Sequence, residues 1–295
     1  MKCPNCGKEN AANARFCAGC GAPLAEAGAA APAAPTPAQR LDLPEGQVTA
    51  TGASASGIRY EIIGTTLQAV VLTLQPGQVV YSEAGAMSWM DYHVNMEAKS
   101  GGGLGKMLGR LFTGESLFVV DYEATGNPGR VAFSNDFPGK VVPIQLAGGQ
   151  SIVVQKDSFM CAEKSIQMEV HWQKRIGAGL FGGEGFLLQR LTGPGMFFAE
   201  LDGEIVEETL QPGQTIKVDP GHVAMFEPTV EFEIEMVRGI KTILFGGEGL
   251  FVARLRGPGR IWLQTMPMAN LVGQIIRYLP KAQSSDGGFQ IKLGG

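Results

Sequence analysis

Histidine is nearly absent from this chain of 295 residues, and its scarcity removes several chemistries at once. The three present, His93, His171 and His222, form no His-x-His pair and no His-Glu-x-x-His motif. Around His222 the chain reads Pro220-Gly221-His222-Val223-Ala224-Met225-Phe226, with no second imidazole to share an iron or manganese ion. A Gly-x-Ser-x-Gly elbow is also missing, which argues against a serine hydrolase. So is an excess of basic residues: Lys and Arg number 24 against 28 Asp and Glu, a net charge of -4 that disfavours a dedicated nucleic-acid binder. No apolar run approaches the ~18 residues of a membrane-spanning helix, and Met1-Lys2-Cys3-Pro4 does not open a signal peptide. The expectation is a soluble, cytoplasmic, non-enzymatic protein.

Repetition is what the chain has instead. Leu74-Gln75-Pro76-Gly77-Gln78 returns as Leu146-Ala147-Gly148-Gly149-Gln150 and as Leu210-Gln211-Pro212-Gly213-Gln214. Phe112-Thr113-Gly114-Glu115-Ser116-Leu117-Phe118 is echoed by Phe181-Gly182-Gly183-Glu184-Gly185-Phe186-Leu187 and by Phe245-Gly246-Gly247-Glu248-Gly249-Leu250-Phe251. Pro128-Gly129, Pro194-Gly195 and Pro258-Gly259 follow in the same order. One unit is therefore written three times. The histidines fall at non-equivalent places in it, which argues against a repeated imidazole site.

Between the landmarks lie short runs rich in Val, Ile, Leu and Phe, such as Ala69 to Leu74, Ser151 to Gln155 and Phe186 to Leu191. Glu231 to Met236 alternates strictly, which places one face in a core and one in water. With 42 Gly and 17 Pro, this pattern predicts an all-β barrel or sandwich, its three pseudo-repeats closing around a pseudo-threefold axis. Leu271 to Leu279 reads as a short helix stopped by Pro280.

The first 24 residues are a separate module. Cys3-Pro4-Asn5-Cys6-Gly7 and Cys17-Ala18-Gly19-Cys20-Gly21 are two Cys-x2-Cys-Gly knuckles separated by ten residues. Each places two thiolates on a tight turn, and two such turns complete a tetrahedral four-sulfur site suited to structural Zn²⁺, with no position left for catalysis. So short a segment has almost no apolar core, so the metal would supply most of its folding free energy. The fifth cysteine, Cys161, lies among apolar residues and reads as a buried structural thiol. The expected domains are the ribbon at 1–24, an Ala/Pro-rich linker at 25–56 whose composition makes it an extended tether, the β body at 57–280, and a flexible Gly/Ser-containing tail at 281–295.

The body, through its recurring Pro-Gly-Gln turns and above all through Phe112-Thr113-Gly114-Glu115-Ser116 followed by Leu117-Phe118, resembles the AIM24 family. That resemblance implies a shallow double-stranded β-helix related to the tryptophan RNA-binding attenuation protein fold. The head resembles the short zinc ribbons attached to many unrelated bacterial domains. Mitochondrial members of the family are associated with inner-membrane organisation, and a shared fold does not carry RNA binding with it.

Three repeated features remain as candidate sites. Gly101-Gly102-Gly103-Leu104-Gly105-Lys106 has the look of a phosphate loop but lacks its Gly-Lys-Ser/Thr ending, so turn glycines are the plainer reading. Glu115, Glu184 and Glu248 share one register, either as a ring that holds a cation or as caps of their own hairpins. Just before each Glu, basic residues precede an apolar tip: Lys106, Arg110 and Phe112; Lys174 and Arg175; Lys241. Grouped at one end of the body, these would form a surface for anionic membranes at the inner face; packed inward, they would be core and rim. The expected function is a scaffold at or near a membrane whose ribbon recruits a protein partner. The alternative is a small-ligand or metal-binding protein with a pocket on the pseudo-threefold axis.

Overall fold

The structure, a computed structural model, describes residues 1–22, 24, 47–99, 119–174, 186–236 and 251–278, in two units: 1–45 and 46–295. In the second unit two strands come first, β1 (Val48–Ala53) and β2 (Arg59–Ile63). The first repeat then supplies β3 (Ala69–Leu74), β4 (Val79–Glu83), β5 (Met87–Met90), β6 (Val94–Lys99), β7 (Val119–Ala124) and β8 (Gly129–Ser134). The second supplies β9 (Gly139–Leu146), β10 (Ser151–Gln155), β11 (Phe159–Glu163), β12 (Gln167–Lys174), β13 (Phe186–Thr192) and β14 (Gly195–Asp202). The third supplies β15 (Ile205–Leu210), β16 (Thr215–Val218), β17 (Val223–Phe226), β18 (Glu231–Met236), β19 (Phe251–Arg256) and β20 (Gly259–Gln264), followed by helix α1 (Met268–Tyr278).

Four antiparallel pairings recur in every repeat. The first strand pairs with the sixth (β3·β8, β9·β14, β15·β20), and the third also pairs with the sixth (β5·β8, β11·β14, β17·β20). The second pairs with the fifth (β4·β7, β10·β13, β16·β19), and the fourth also pairs with the fifth (β6·β7, β12·β13, β18·β19). Each repeat is thus two half-sheets. Adjacent repeats are joined because the second strand of one pairs with the third strand of the next, as β4·β11 and β10·β17.

The landmark turns explain why the strands begin and end where they do. Gly77, Gly149 and Gly213 have φ of 82°, 78° and 82°, a left-handed backbone that glycine adopts without penalty. The following Gln locks each turn: its side-chain oxygen accepts from the backbone N–H three residues earlier, at Gln75 (2.7 Å), Ala147 (3.0 Å) and Gln211 (2.9 Å).

The described strands form four sheets: β1-β2-β3-β8-β5, β6-β7-β4-β11-β14-β9, β12-β13-β10-β17-β20-β15 and β16-β19-β18. Three cores lie between successive sheets. Val70, Leu72, Phe133, Tyr122 and Phe198 join the first sheet to the second. Phe159, Phe197, Leu201, Val154 and Met225 join the second to the third. Phe186, Leu188, Phe226, Ala253 and Leu255 join the third to the fourth. The two middle sheets are therefore buried on both faces, which is why Phe159 to Ala162 of β11 and all of β17 read as continuous apolar runs rather than alternating ones. No sheet closes on itself, and among the described strands β5 and β16, whose pairing would close the ring of repeats, are not joined. The expected all-β, repeat-built fold is present as an open series of sheets.

Candidate metal centre and surface sites

In the first unit, the chain folds back on itself through a bridge between Lys2 and Glu9, which brings the two knuckles together. Each knuckle closes when the Gly after its second Cys donates to the carbonyl of its first: Gly7 to Cys3 and Gly21 to Cys17, both at 2.9 Å. Both glycines sit at positive φ, 72° and 70°. Asn10 ties the knuckles to each other. Its Oδ1 accepts from the Ala18 N–H at 2.8 Å, while its Nδ2 donates to the Lys8 carbonyl and to the Cys17 sulfur at 3.5 Å. Cys3 and Cys17 are buried with Leu24, while Cys6 and Cys20 face outward.

The four sulfurs lie within 4.8 Å of one another and form no disulfide. Cys3 and Cys20 are 3.6 Å apart, Cys6 and Cys17 3.5 Å. A tetrahedral ion with metal–sulfur bonds of about 2.3 Å separates its sulfurs by about 3.8 Å, so the cage is sized for one such ion. The backbone prepares the charge it needs. The amides of Gly19 and Cys20 pull the Cys17 thiol down to about 6, and the Ala22 amide lowers that of Cys20. Cys6 is pushed up to about 12: the Lys8 amide favours its thiolate, but the neighbouring sulfurs of Cys20 and Cys17 outweigh it. The backbone thus favours charge at Cys17 and Cys20, and a bound cation would offset the opposing rise at Cys6.

Family comparison agrees with both units. A model described as a zinc-ribbon domain matches residues 2–24, and one described as "Mitochondrial biogenesis AIM24" matches residues 60–266. The chain belongs to the AIM24 family. It is similar to an uncharacterized protein of Streptococcus pyogenes serotype M6, 30% identical over 223 residues, or 73% of this chain and 88% of that one. It is also similar in structure to a Streptococcus pyogenes protein solved by X-ray crystallography, with a TM-score of 0.61 and 26% identity over 75% of this chain and all of the other.

In the AIM24 body, Lys106, Arg110, Phe112, Arg175 and Lys241 lie outside the described residues, as do Glu115, Glu184 and Glu248. Lys174 is the last residue of β12. The histidines occupy three different environments. The His93 carbonyl accepts from Thr125; burial and then Arg190 lower the pKa of His171; His222 bonds the Gln264 carbonyl at 2.7 Å and Asn270 at 3.1 Å. Cys161 is fully buried, and burial raises its thiol pKa well above the usual range, as suits an inert structural residue.

Two further features of the body bear on function. A cavity of ≈ 320 Å³ opens between β9 of the second sheet and β17 and β20 of the third. Its lining mixes apolar side chains, Ile144, Leu146, Ile152, Met225 and Trp262, with the polar Gln145, Gln150, Ser151 and Glu227. Arg260 on its rim stacks over Trp262 at 5.1 Å and pairs with Glu227 at 2.8 Å, so its charge is already matched. Those side chains come from different repeats, and no local motif announces them. The second feature is α1. Met268, Val272 and Ile275, at helical spacing, are all exposed, with Tyr278 at 87% and the preceding Met266 at 47%. Among the described residues no helix is long and apolar enough to cross a membrane; α1, at 11 residues, is short and amphipathic.

Proposed function

We propose that this AIM24-family protein is a non-enzymatic adaptor of the cytoplasm. Its ribbon, loaded with one structural Zn²⁺ on Cys3, Cys6, Cys17 and Cys20, recruits a protein partner, and its β body works at the surface of an anionic membrane. The observation that carries the reading is the four-sulfur cage. Four thiolates saturate a tetrahedral zinc, so the ion holds a fold rather than a substrate, and a folded knuckle on an Ala/Pro tether is suited to contact other molecules. The exposed apolar stripe of α1 supports the membrane half, since such a face can lie in the headgroup region beside basic groups. In this reading Lys106, Arg110, Lys174, Arg175 and Lys241 supply those groups, and Phe112 inserts.

Metal analysis and vesicle co-sedimentation test the two halves separately. Purified protein should carry one zinc per chain, and a Cys6→Ser, Cys17→Ser variant should carry none; zinc retained at full stoichiometry in that variant would remove the assignment. Residues 47–295 should bind vesicles rich in anionic lipid more tightly than neutral ones, and salt should weaken that binding. Replacing the five cations with Gln should abolish it. No affinity for anionic vesicles in the wild type would leave the ribbon as the sole contact surface.

The cavity favours a second reading, a pocket for a small ligand that carries both apolar and hydrogen-bonding groups. Filling it by Ile144→Trp should leave the fold intact and abolish any ligand-induced rise in melting temperature. A ligand that stabilises wild type and variant equally does not bind there.

A further inference from the structure

The junction between repeats is built twice inside the chain, and the parts for a third are left over. At the first junction Ser82 of β4 faces Cys161 of β11, and Tyr81 faces Ala162. At the second Val154 of β10 faces Met225 of β17, and Val153 faces Phe226. The repeat register makes these the same positions: each third strand carries a register shift at the same place, between Phe159 and Cys161, Val223 and Met225, and Met87 and Trp89. By that equivalence, among the described strands β5 is a third strand with no second strand beside it, and β16 is a second strand with no third strand beside it.

Burial marks the difference. All ten residues paired at the two internal junctions, Val80 and Glu163 included, are buried, from 0% to 5% exposed. At the unmatched strands Trp89 is 42% exposed, Ser88 and Lys217 are exposed, and Met87, Met90, Ile216 and Val218 are half-buried. A tryptophan at an unpaired strand edge is an invitation to strand pairing, and nothing on β5 blunts it: no Pro, Lys or inward charge. Nor is the vacancy filled by any described strand. The three cores join the sheets in series, and none joins the fourth sheet to the first.

We propose that β16 of one copy pairs antiparallel with β5 of another, in the register of the internal junctions, with Val218 opposite Trp89 and Lys217 opposite Met90. The contact is heterologous, since each copy offers one strand of each kind, so it builds rings or open chains rather than a two-fold dimer. The outer face of the fourth sheet is polar and internally paired, Lys217 with Glu235 at 3.1 Å and Arg256 with Glu231 at 3.7 Å. Association therefore rests on the strand edges and Trp89, not on stacked apolar faces, and should be weak and concentration-dependent. This inference is independent of the membrane and ribbon proposals.

The test uses the full zinc-loaded chain. Sedimentation should show mass above the 31.2 kDa of one chain, rising with concentration, and Trp89→Lys or Val218→Lys should each return it to a single chain without loss of the β circular-dichroism signal. Mixing a Trp89→Cys variant with a Val218→Cys variant under mild oxidation should give a cross-linked pair, whether or not a Lys variant folds. Three results would overturn the proposal: a wild type that stays monomeric up to its solubility limit, an oligomer that persists in both Lys variants, or a Trp89→Cys, Val218→Cys double variant that cross-links only within one chain.

Discussion

Glu200 shows how much one side chain can depend on where a repeat places it. Its Oε2 accepts the Asp136 N–H at 3.3 Å; one repeat later, Gln264 accepts the Asp202 N–H at 2.9 Å. The same clamp between repeats is made by an amide in one case and a carboxyl in the other. Burial, then the charge of Asp136, pushes the Glu200 carboxyl up to about 8, and burial lifts Asp202 to about 6. A carboxyl whose folded pKa exceeds its unfolded value costs no stability below pH ~4.5, and the cost grows as pH rises through 8. The body should therefore lose stability between about pH 5 and pH 8. Glu200→Gln should match wild type near pH 4.5 and exceed it by roughly 1–3 kcal/mol at pH 9. Urea melts at the two pH values check this; a variant weaker than wild type at pH 9 would show that the ionised carboxylate is held favourably after all.

At the scale of elements, the glycine-glutamine turn is the recurring joint. A Cβ added at Gly77, Gly149 or Gly213 would meet nothing within 4 Å, so a substitution there pays only for the left-handed backbone. Gly149→Ala should cost roughly 1–2 kcal/mol. Gln150→Ala, which strands the Ala147 N–H, should cost roughly 1 kcal/mol. Chemical denaturation of both variants distinguishes strain from a lost bond, because only the first should persist in a Gly149→Ala, Gln150→Ala double variant compared with Gln150→Ala alone. Helix α1 begins differently. The Met268 N–H donates to Oδ2 of Asp202 at 3.0 Å, across 66 residues. Asp202→Ala should cost about 1 kcal/mol and reduce the helical contribution to far-ultraviolet circular dichroism; a spectrum unchanged in shape would mean that the helix stands without its cap.

For the whole molecule, the serial cores make the middle sheets the place where damage spreads. Phe197 is fully buried in the core between the second and third sheets, and Phe197→Ala should cost about 3–5 kcal/mol. Phe16, 65% exposed on the ribbon, should tolerate alanine with no change in the melt of the body. Removing the metal with a chelator should likewise unfold residues 1–24 while the β body melts as before, because the two units have separate cores. Calorimetry of the chain with and without chelator checks this. A body transition that shifts with zinc would mean that the units are coupled.

Much of this was written in local pattern. The strands Ala69–Leu74 and Ser151–Gln155 begin and end where their apolar runs do, because Gly and Pro turns bound them. The ribbon cysteines needed only their spacing, since two knuckles can converge on little else. The helix was legible only in part. Its pattern suggested Leu271 to Leu279, but Asp202 and Pro267 set its start at Met268, and that cap comes from a distant strand. The cavity, the carboxyl of Glu200 and the unmatched edges of β5 and β16 were beyond local pattern altogether. What the chain determined alone was a unit repeated three times and a four-sulfur head, because turn chemistry and metal-ligand spacing act over a few residues. Which faces meet, which carboxyl loses its water and which strand is left without a partner were decided by the stacking of sheets, where residues from different repeats first become neighbours.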